Sequence, residues 1–162
     1  MKTIKFLGID PGSHRIGYGV VSKNRRDLSS KDYGTIEFKP GENKERLVIL
    51  EREMEKLIKK SKPSAIAIEK LYFSKNRKTA LMVSESRGVI VLASKKSGIP
   101  VFEYDPTTIK QRITGYGLSD KKAVLKMVKI FLNLQNFNGF DDASDALAIA
   151  IVAALDNHSF GS

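Results

Sequence analysis

The chain has no cysteine and no tryptophan, and only two histidines and five prolines in 162 residues. Without cysteine there is no disulfide framework and no thiolate metal site. The histidines, His14 and His158, lie far apart in sequence. A metal would therefore be held mainly by carboxylate oxygens, which suits Mg²⁺ or Mn²⁺ and argues against structural zinc. No apolar run reaches spanning length without charges. The opening Met-Lys-Thr-Ile-Lys-Phe lacks the long apolar stretch of a secretory signal. A soluble, cytoplasmic protein is expected. Internal repeats, low-complexity tracts and linkers are also missing, so residues 1–162 are expected to form one domain.

What is present is a near-average apolar content of 41% and a strong positive bias. Lysine and arginine number 28 against 18 aspartates and glutamates, a net charge of +10. A folded domain this basic usually meets a polyanion, and nucleic acid is the common case.

The stretch Ile-Lys-Phe-Leu-Gly-Ile-Asp-Pro-Gly at 4–12 is an apolar run that stops at one carboxylate, Asp10, followed by a turn signal. It reads as a buried strand. Asp10 either caps the turn or faces the open edge where α/β folds place their sites. A second strand is expected near Ile16 to Ser22 and a third from Asp32 to Phe38, with polar Arg25 to Lys31 as the turn between them. Apolar residues then recur every three or four positions from Asn43 to Lys60, which predicts an amphipathic helix stopped by Pro63. Ser64 to Ile68 returns to a strand, ending in Glu69. A strand, helix, strand crossover is right-handed, so this strand should lie parallel to the first. As neighbours, they bring Asp10 and Glu69 to the same end.

From Lys70 to Lys78, aromatics stand among cations: Tyr72 and Phe73 beside Lys75, Arg77 and Lys78. Aromatic faces stack on bases and cations track phosphates; alternatively both rings belong to the core. Thr79 to Lys96 is expected to be a helix. Its apolar girth at Gly88 to Ala93 suggests a subunit interface. Pro100 begins a fifth strand, and Asp105 and Pro106 open a short helix. Ser119 is expected to cap the next helix, whose Lys126 and Lys129 form a solvated face. The last helix opens with Asp141, Asp142 and Asp145 and continues as an apolar run. Its acids suit a helix N-terminus, but three at the end of so apolar a helix ask for another reason. Spacings of three and four both share a face, so Asp141 and Asp142 remain alternatives.

Asp10, Glu69, Asp145 and one of that pair would repel one another unless cations neutralised them. Two Mg²⁺ ions roughly 3.5–4 Å apart could clamp a scissile phosphate between them. A basic chain around an acidic metal cleft is a nuclease-like combination.

Several motifs together resemble the RuvC family of bacterial Holliday junction resolvases. They are Gly-Ile-Asp-Pro-Gly at 8–12, Ala-Ile-Glu at 67–69 and Asp-Ala-Ser-Asp-Ala-Leu-Ala from 142. Weaker marks are Ser-Arg-Gly at 86–88, Pro-Val-Phe-Glu-Tyr at 100–104 and Lys-Gln at 110–111. The resemblance implies an α/β, RNase H-like fold with a five-stranded mixed sheet flanked by helices. It also implies a homodimer that nicks two strands of four-way junction DNA symmetrically, and RuvA and RuvB as branch-migration partners. It selects Asp142, giving the tetrad Asp10, Glu69, Asp142 and Asp145 as catalytic metal ligands. The family's base-stacking aromatic, usually Phe, falls on Tyr72, and its two cleavage lysines on Lys110 and Lys121. The dimer-forming helix falls on Thr79 to Lys96.

Three other readings compete. A nucleotide-binding kinase of the actin-like superfamily needs a second such domain, for which this chain is too short. A junction-binding module without catalysis needs a broken acidic set, and this one is intact. An RNase H-like nuclease with another substrate would show altered nucleic-acid preference.

Overall fold

The computed structural model of the protein describes residues 3–39, 41, 44–72 and 76–156. Five strands make one sheet: β1 (Ile4–Asp10), β2 (Arg15–Asn24), β3 (Asp27–Glu37), β4 (Ala65–Glu69) and β5 (Val101–Tyr104). Their order is β3-β2-β1-β4-β5. The pairs β1/β2 and β2/β3 are antiparallel, and β1/β4 and β4/β5 are parallel. The expected mixed sheet flanked by helices is therefore present. The helices are α1 (Glu45–Ser61), α2 (Arg77–Lys96), α3 (Pro106–Thr114), α4 (Lys121–Phe131) and α5 (Asp141–Asp156).

The alternation of side chains along a strand divides the core in two. Leu7, Ile9, Ile66 and Ile68 pack with Leu50, Met54 and Ile90 of α1 and α2. Phe6, Ala65 and Ala67 pack on the opposite face with α5, backed by α3 and α4. Asp10 and Glu69 continue the second parity, so both strand ends turn their carboxylates to the α5 face. Helix α5 can lie directly on the sheet because the contact positions carry no side chain. A Cβ on Gly8 would collide with the carbonyl oxygen of Ala146 and stand 2.7 Å from the amide nitrogen of Ala150. A Cβ on Gly17 would collide with the carbonyl of Asp142.

Two expectations are corrected. The β2–β3 connection is not a seven-residue turn, because β3 already begins at Asp27 and only Arg25 and Arg26 turn the chain. Arg25 adopts a φ of 56°. The strand start is polar because β3 lies at the sheet edge, where residues 27–31 are at most partly buried, so it lacks an apolar rhythm. Helix α4 is capped by Asp120, which accepts from the Ala123 amide at 2.8 Å. Ser119 is buried instead, its hydroxyl 2.9 Å from that of Thr114.

On α2, Asn76 caps the first turn by accepting from the Thr79 amide at 3.2 Å. Ala80, Ser86, Ile90 and Ala93 face inward. Buried Arg46 of α1 binds the helix through Glu85 and, at 2.8 Å, the Ser86 hydroxyl. The opposite face leaves Leu81 67% and Leu92 55% exposed.

Candidate active site

Three elements deliver the acidic residues to one end of the sheet. Asp10 closes β1 and pairs with Gly17 of β2, the residue on which the start of α5 rests. The pair Ile9 and Ile68 sets β4 in register beside β1, so Glu69 follows next to Asp10. Asp142 and Asp145 occupy the opening of α5. Asp141 is exposed on the same turn, whereas Asp142 and Asp145 are half-buried.

The four sequence candidates meet electrostatically. Burial, then the charges of Asp145, Glu69 and Asp142, push the Asp10 carboxyl well above its ordinary range. Burial and then Asp145 raise Glu69, against the opposing pull of Lys110 and Lys121. Asp145 is also raised, chiefly by burial, while Lys121 pulls it down. Lys121 Nζ stands 3.7 Å from Asp145 Oδ2. Both candidate lysines therefore act on the cleft from α3 and α4.

Among the described residues, no three carboxylates or imidazoles stand together as a ready-made metal shell. The donor chemistry nevertheless fits a hard divalent cation. Only carboxylate oxygens converge here, and their ionisation is held back by burial and mutual repulsion, which such an ion relieves.

Tyr72 is 60% exposed, and its hydroxyl donates to Asp105, whose second oxygen lies 3.3 Å from Lys70 Nζ. That hydrogen bond pushes the tyrosine up and holds the aspartate below its usual value. Arg77 and Lys78 are exposed in the first turn of α2 and are not among the cations paired with the cleft. Phe73 and Lys75 lie outside the described residues.

Arg15 is a neighbour that sequence reasoning missed. Its Nη1 lies 3.4 Å from Asp142 Oδ2 and its Nε donates to Glu37 at 3.1 Å. Its guanidinium also sits 3.6 Å from the Phe140 ring centroid, a cation–π arrangement. No local signal marks it, because Asp142 and Phe140 are distant in sequence.

The electrostatics predict a pH-dependent stability without metal. A carboxyl raised in the folded state stabilises fully below its unfolded value of about 4. That contribution is lost as pH rises through the folded value. In EDTA the melting temperature should thus climb as pH falls from 8 toward 5. Asp10→Asn should melt higher than the parent at pH 7.5 and show a shallower pH slope. Added Mg²⁺ should raise the parent's melting temperature more at pH 7.5 than at pH 5. Differential scanning fluorimetry reads all three, and parallel profiles for parent and variant would show that Asp10 carries no such strain.

The family model described as Crossover junction endodeoxyribonuclease RuvC matches residues 6–153. The protein of that name from Ruminiclostridium cellulolyticum is 49% identical over 146 residues, 90% of this chain and 88% of the relative. Its counterpart in Thermosipho melanesiensis is 46% identical over 154 residues, 94% of this chain and 98% of the relative. Among solved structures, Thermus thermophilus RuvC in complex with Holliday junction substrate matches with a TM-score of 0.87. It is 29% identical, and the match covers 94% of this chain and 96% of that one.

Proposed function

Since the chain belongs to the RuvC family of crossover junction endodeoxyribonucleases, we propose that Asp10, Glu69, Asp142 and Asp145 form its catalytic centre. The enzyme is a metal-dependent endonuclease that resolves Holliday junctions. The observation that carries the site is the convergence of three chain-distant carboxylates on the half-buried Asp10.

The four carboxylates would hold two Mg²⁺, with Mn²⁺ able to substitute. Such ions supply activation of a water and neutralise charge at the leaving 3′ oxygen. The chain does the rest. The net positive charge draws the DNA in. Lys110 and Lys121 set positive charge beside Glu69 and Asp145, where a phosphate would otherwise meet bare carboxylates. The Tyr72 ring stacks on a base near the crossover. Phe73, Lys75, Arg77 and Lys78 extend that contact along the strand. One nuclease domain over residues 1–162 carries these functions.

The enzyme works as a homodimer in this reading, supported by the exposed leucines on the outer face of α2. Two centres then nick two strands symmetrically. RuvA and RuvB are the proposed branch-migration partners, and the cytoplasm is the proposed compartment. Among the described residues, no helix is long and apolar enough to cross a membrane.

The test sets a four-way junction against a linear duplex of the same sequence, with Mg²⁺, Mn²⁺ or EDTA. Paired, symmetric nicks on the junction alone, lost in EDTA, are expected. Equal cutting of the duplex would move the enzyme to a general RNase H-like nuclease. Single uncoupled nicks would remove the dimer.

A further inference from the structure

Strand β2 meets the opening of α5 at three points. Gly17 lies under the helix backbone, where a Cβ would collide with the Asp142 carbonyl. Arg15 stands two residues earlier and so on the same strand face. It reaches the Asp142 side chain, with Nη1 3.4 Å from Oδ2. Its guanidinium also lies over the ring of Phe140, whose carbonyl accepts from the Ala143 amide at 3.0 Å and so starts the helix.

Arg15 is itself held. It faces Glu37 across the β2–β3 ladder, and its Nε donates to Glu37 Oε1 at 3.1 Å. An arginine at a surface ordinarily keeps much of its rotamer freedom. Here a carboxylate at one edge and a ring against its plane fix the guanidinium where it meets Asp142. The contact engages Oδ2 and leaves Oδ1 for another partner. It borders an open groove of about 430 Å³ whose lining includes Gly12, His14 and Phe38, so ions from solvent can reach it. A surface ion pair adds little stability. Three contacts meeting on one guanidinium, at the end of the helix that carries half the site, therefore ask for a role beyond stability.

We propose that Arg15 is a positioning residue for the metal centre. It holds Asp142 by Oδ2, so that Oδ1 alone meets a divalent cation, and its own charge keeps that cation loosely bound until the scissile phosphate adds its oxygens. The inference rests on the reading of Asp142 as a metal ligand and adds to it the group that sets the ligand's geometry. Loss of a group that orients a metal ligand typically changes affinity or activity about 10–100-fold. Two effects then run in opposite directions. Removing the guanidinium removes a repelling charge and frees Asp142 to chelate with both oxygens, which tightens metal binding. The same change lets the carboxylate leave the orientation in which the cation faces the phosphate, which slows cleavage.

The test pairs Mn²⁺ titration of the DNA-free enzyme, followed by electron paramagnetic resonance, with single-turnover junction cleavage at saturating Mg²⁺. Arg15→Gln should bind Mn²⁺ about tenfold more tightly at low salt, and the gain should shrink as salt screens the charge. It should cleave about tenfold more slowly. Its melting temperature should stay within about 3 °C of the parent's, as for any surface ion pair. Arg15→Lys keeps the charge and loses the planar fork. It should bind Mn²⁺ within about threefold of the parent and still cleave about tenfold more slowly. A merely structural arginine would lose metal affinity and cleavage together. Weaker Mn²⁺ binding by Arg15→Gln, or cleavage within about threefold of the parent's and so below the range of such a group, would overturn the proposal. Failure of the metal-centre reading looks different: Asp142→Asn would leave both Mn²⁺ binding and cleavage at the parent's level.

Discussion

Glu69→Gln is expected to slow junction cleavage by at least about 10³-fold, the scale of losing a group that organises transition-state charge. Junction binding should stay within about threefold, because phosphate contacts outside the cleft dominate affinity. The substitution keeps the shape of the side chain and removes one charge and one hard oxygen ligand. Glu69 stands at the end of a strand whose four preceding residues are all buried, so no nearby carboxylate on β4 can replace it. Gel-shift titration in Ca²⁺ and single-turnover cleavage in Mg²⁺ separate the two effects. Asp141→Asn is the matched control. It removes an exposed acid one residue from Asp142 and should change cleavage less than about threefold, the modest effect expected of an exposed charge. Residual cleavage within tenfold for Glu69→Gln would take this residue out of the catalytic centre. Loss of binding in parallel with cleavage would mean that it holds the fold or the DNA.

The parts of this site that the sequence reveals are those whose chemistry conflicts with their surroundings. Asp10 and Glu69 end apolar runs, and the crossover rule makes those runs parallel neighbours. The structure aligns them through the pair Ile9 and Ile68. The acids of α5 stand out in the same way, ahead of a run buried from Ala146 to Ala154. Spacing alone leaves Asp141 and Asp142 equivalent. Tertiary placement separates them, since Asp142 acts on Asp10 while Asp141 is exposed.

What stays hidden is whatever depends on contacts between distant residues. Arg15 reaches Asp142 across 127 positions, and Tyr72 reaches Asp105 across 33. Neither pairing leaves a periodic trace. Local competition misleads in a different way. Ser119 and Asp120 are both good caps by composition; the structure uses Asp120 because Ser119 is buried against Thr114. At the start of the edge strand β3 only Leu28 packs on the core, among polar neighbours that are at most partly buried, which is why these residues resemble a turn.

Gly8→Ala should destabilise the protein by about 3 kcal/mol or more, at the upper end of overpacking. For a domain of this size that is roughly 6–12 °C in melting temperature. The added Cβ meets backbone, the carbonyl of Ala146 and the amide of Ala150. Backbone within a helix packed on both sides cannot step aside as a side-chain tip can. Relief therefore requires α5 to lift from β1, and α5 carries Asp142 and Asp145. Cleavage should fall even at temperatures where the variant remains folded, because Asp10 and Glu69 stay on the sheet while their partners move. Ala150→Gly removes only a Cβ at 3.0 Å and should not rescue the variant, since the backbone collision remains. Chemical denaturation with circular dichroism gives the stability, and cleavage well below the transition gives the geometric effect. A loss under about 1 kcal/mol, far below the overpacking expected here, would show that α5 sits farther from β1 in solution. The glycine in Gly-Ile-Asp would then owe its place to something other than the helix laid across it.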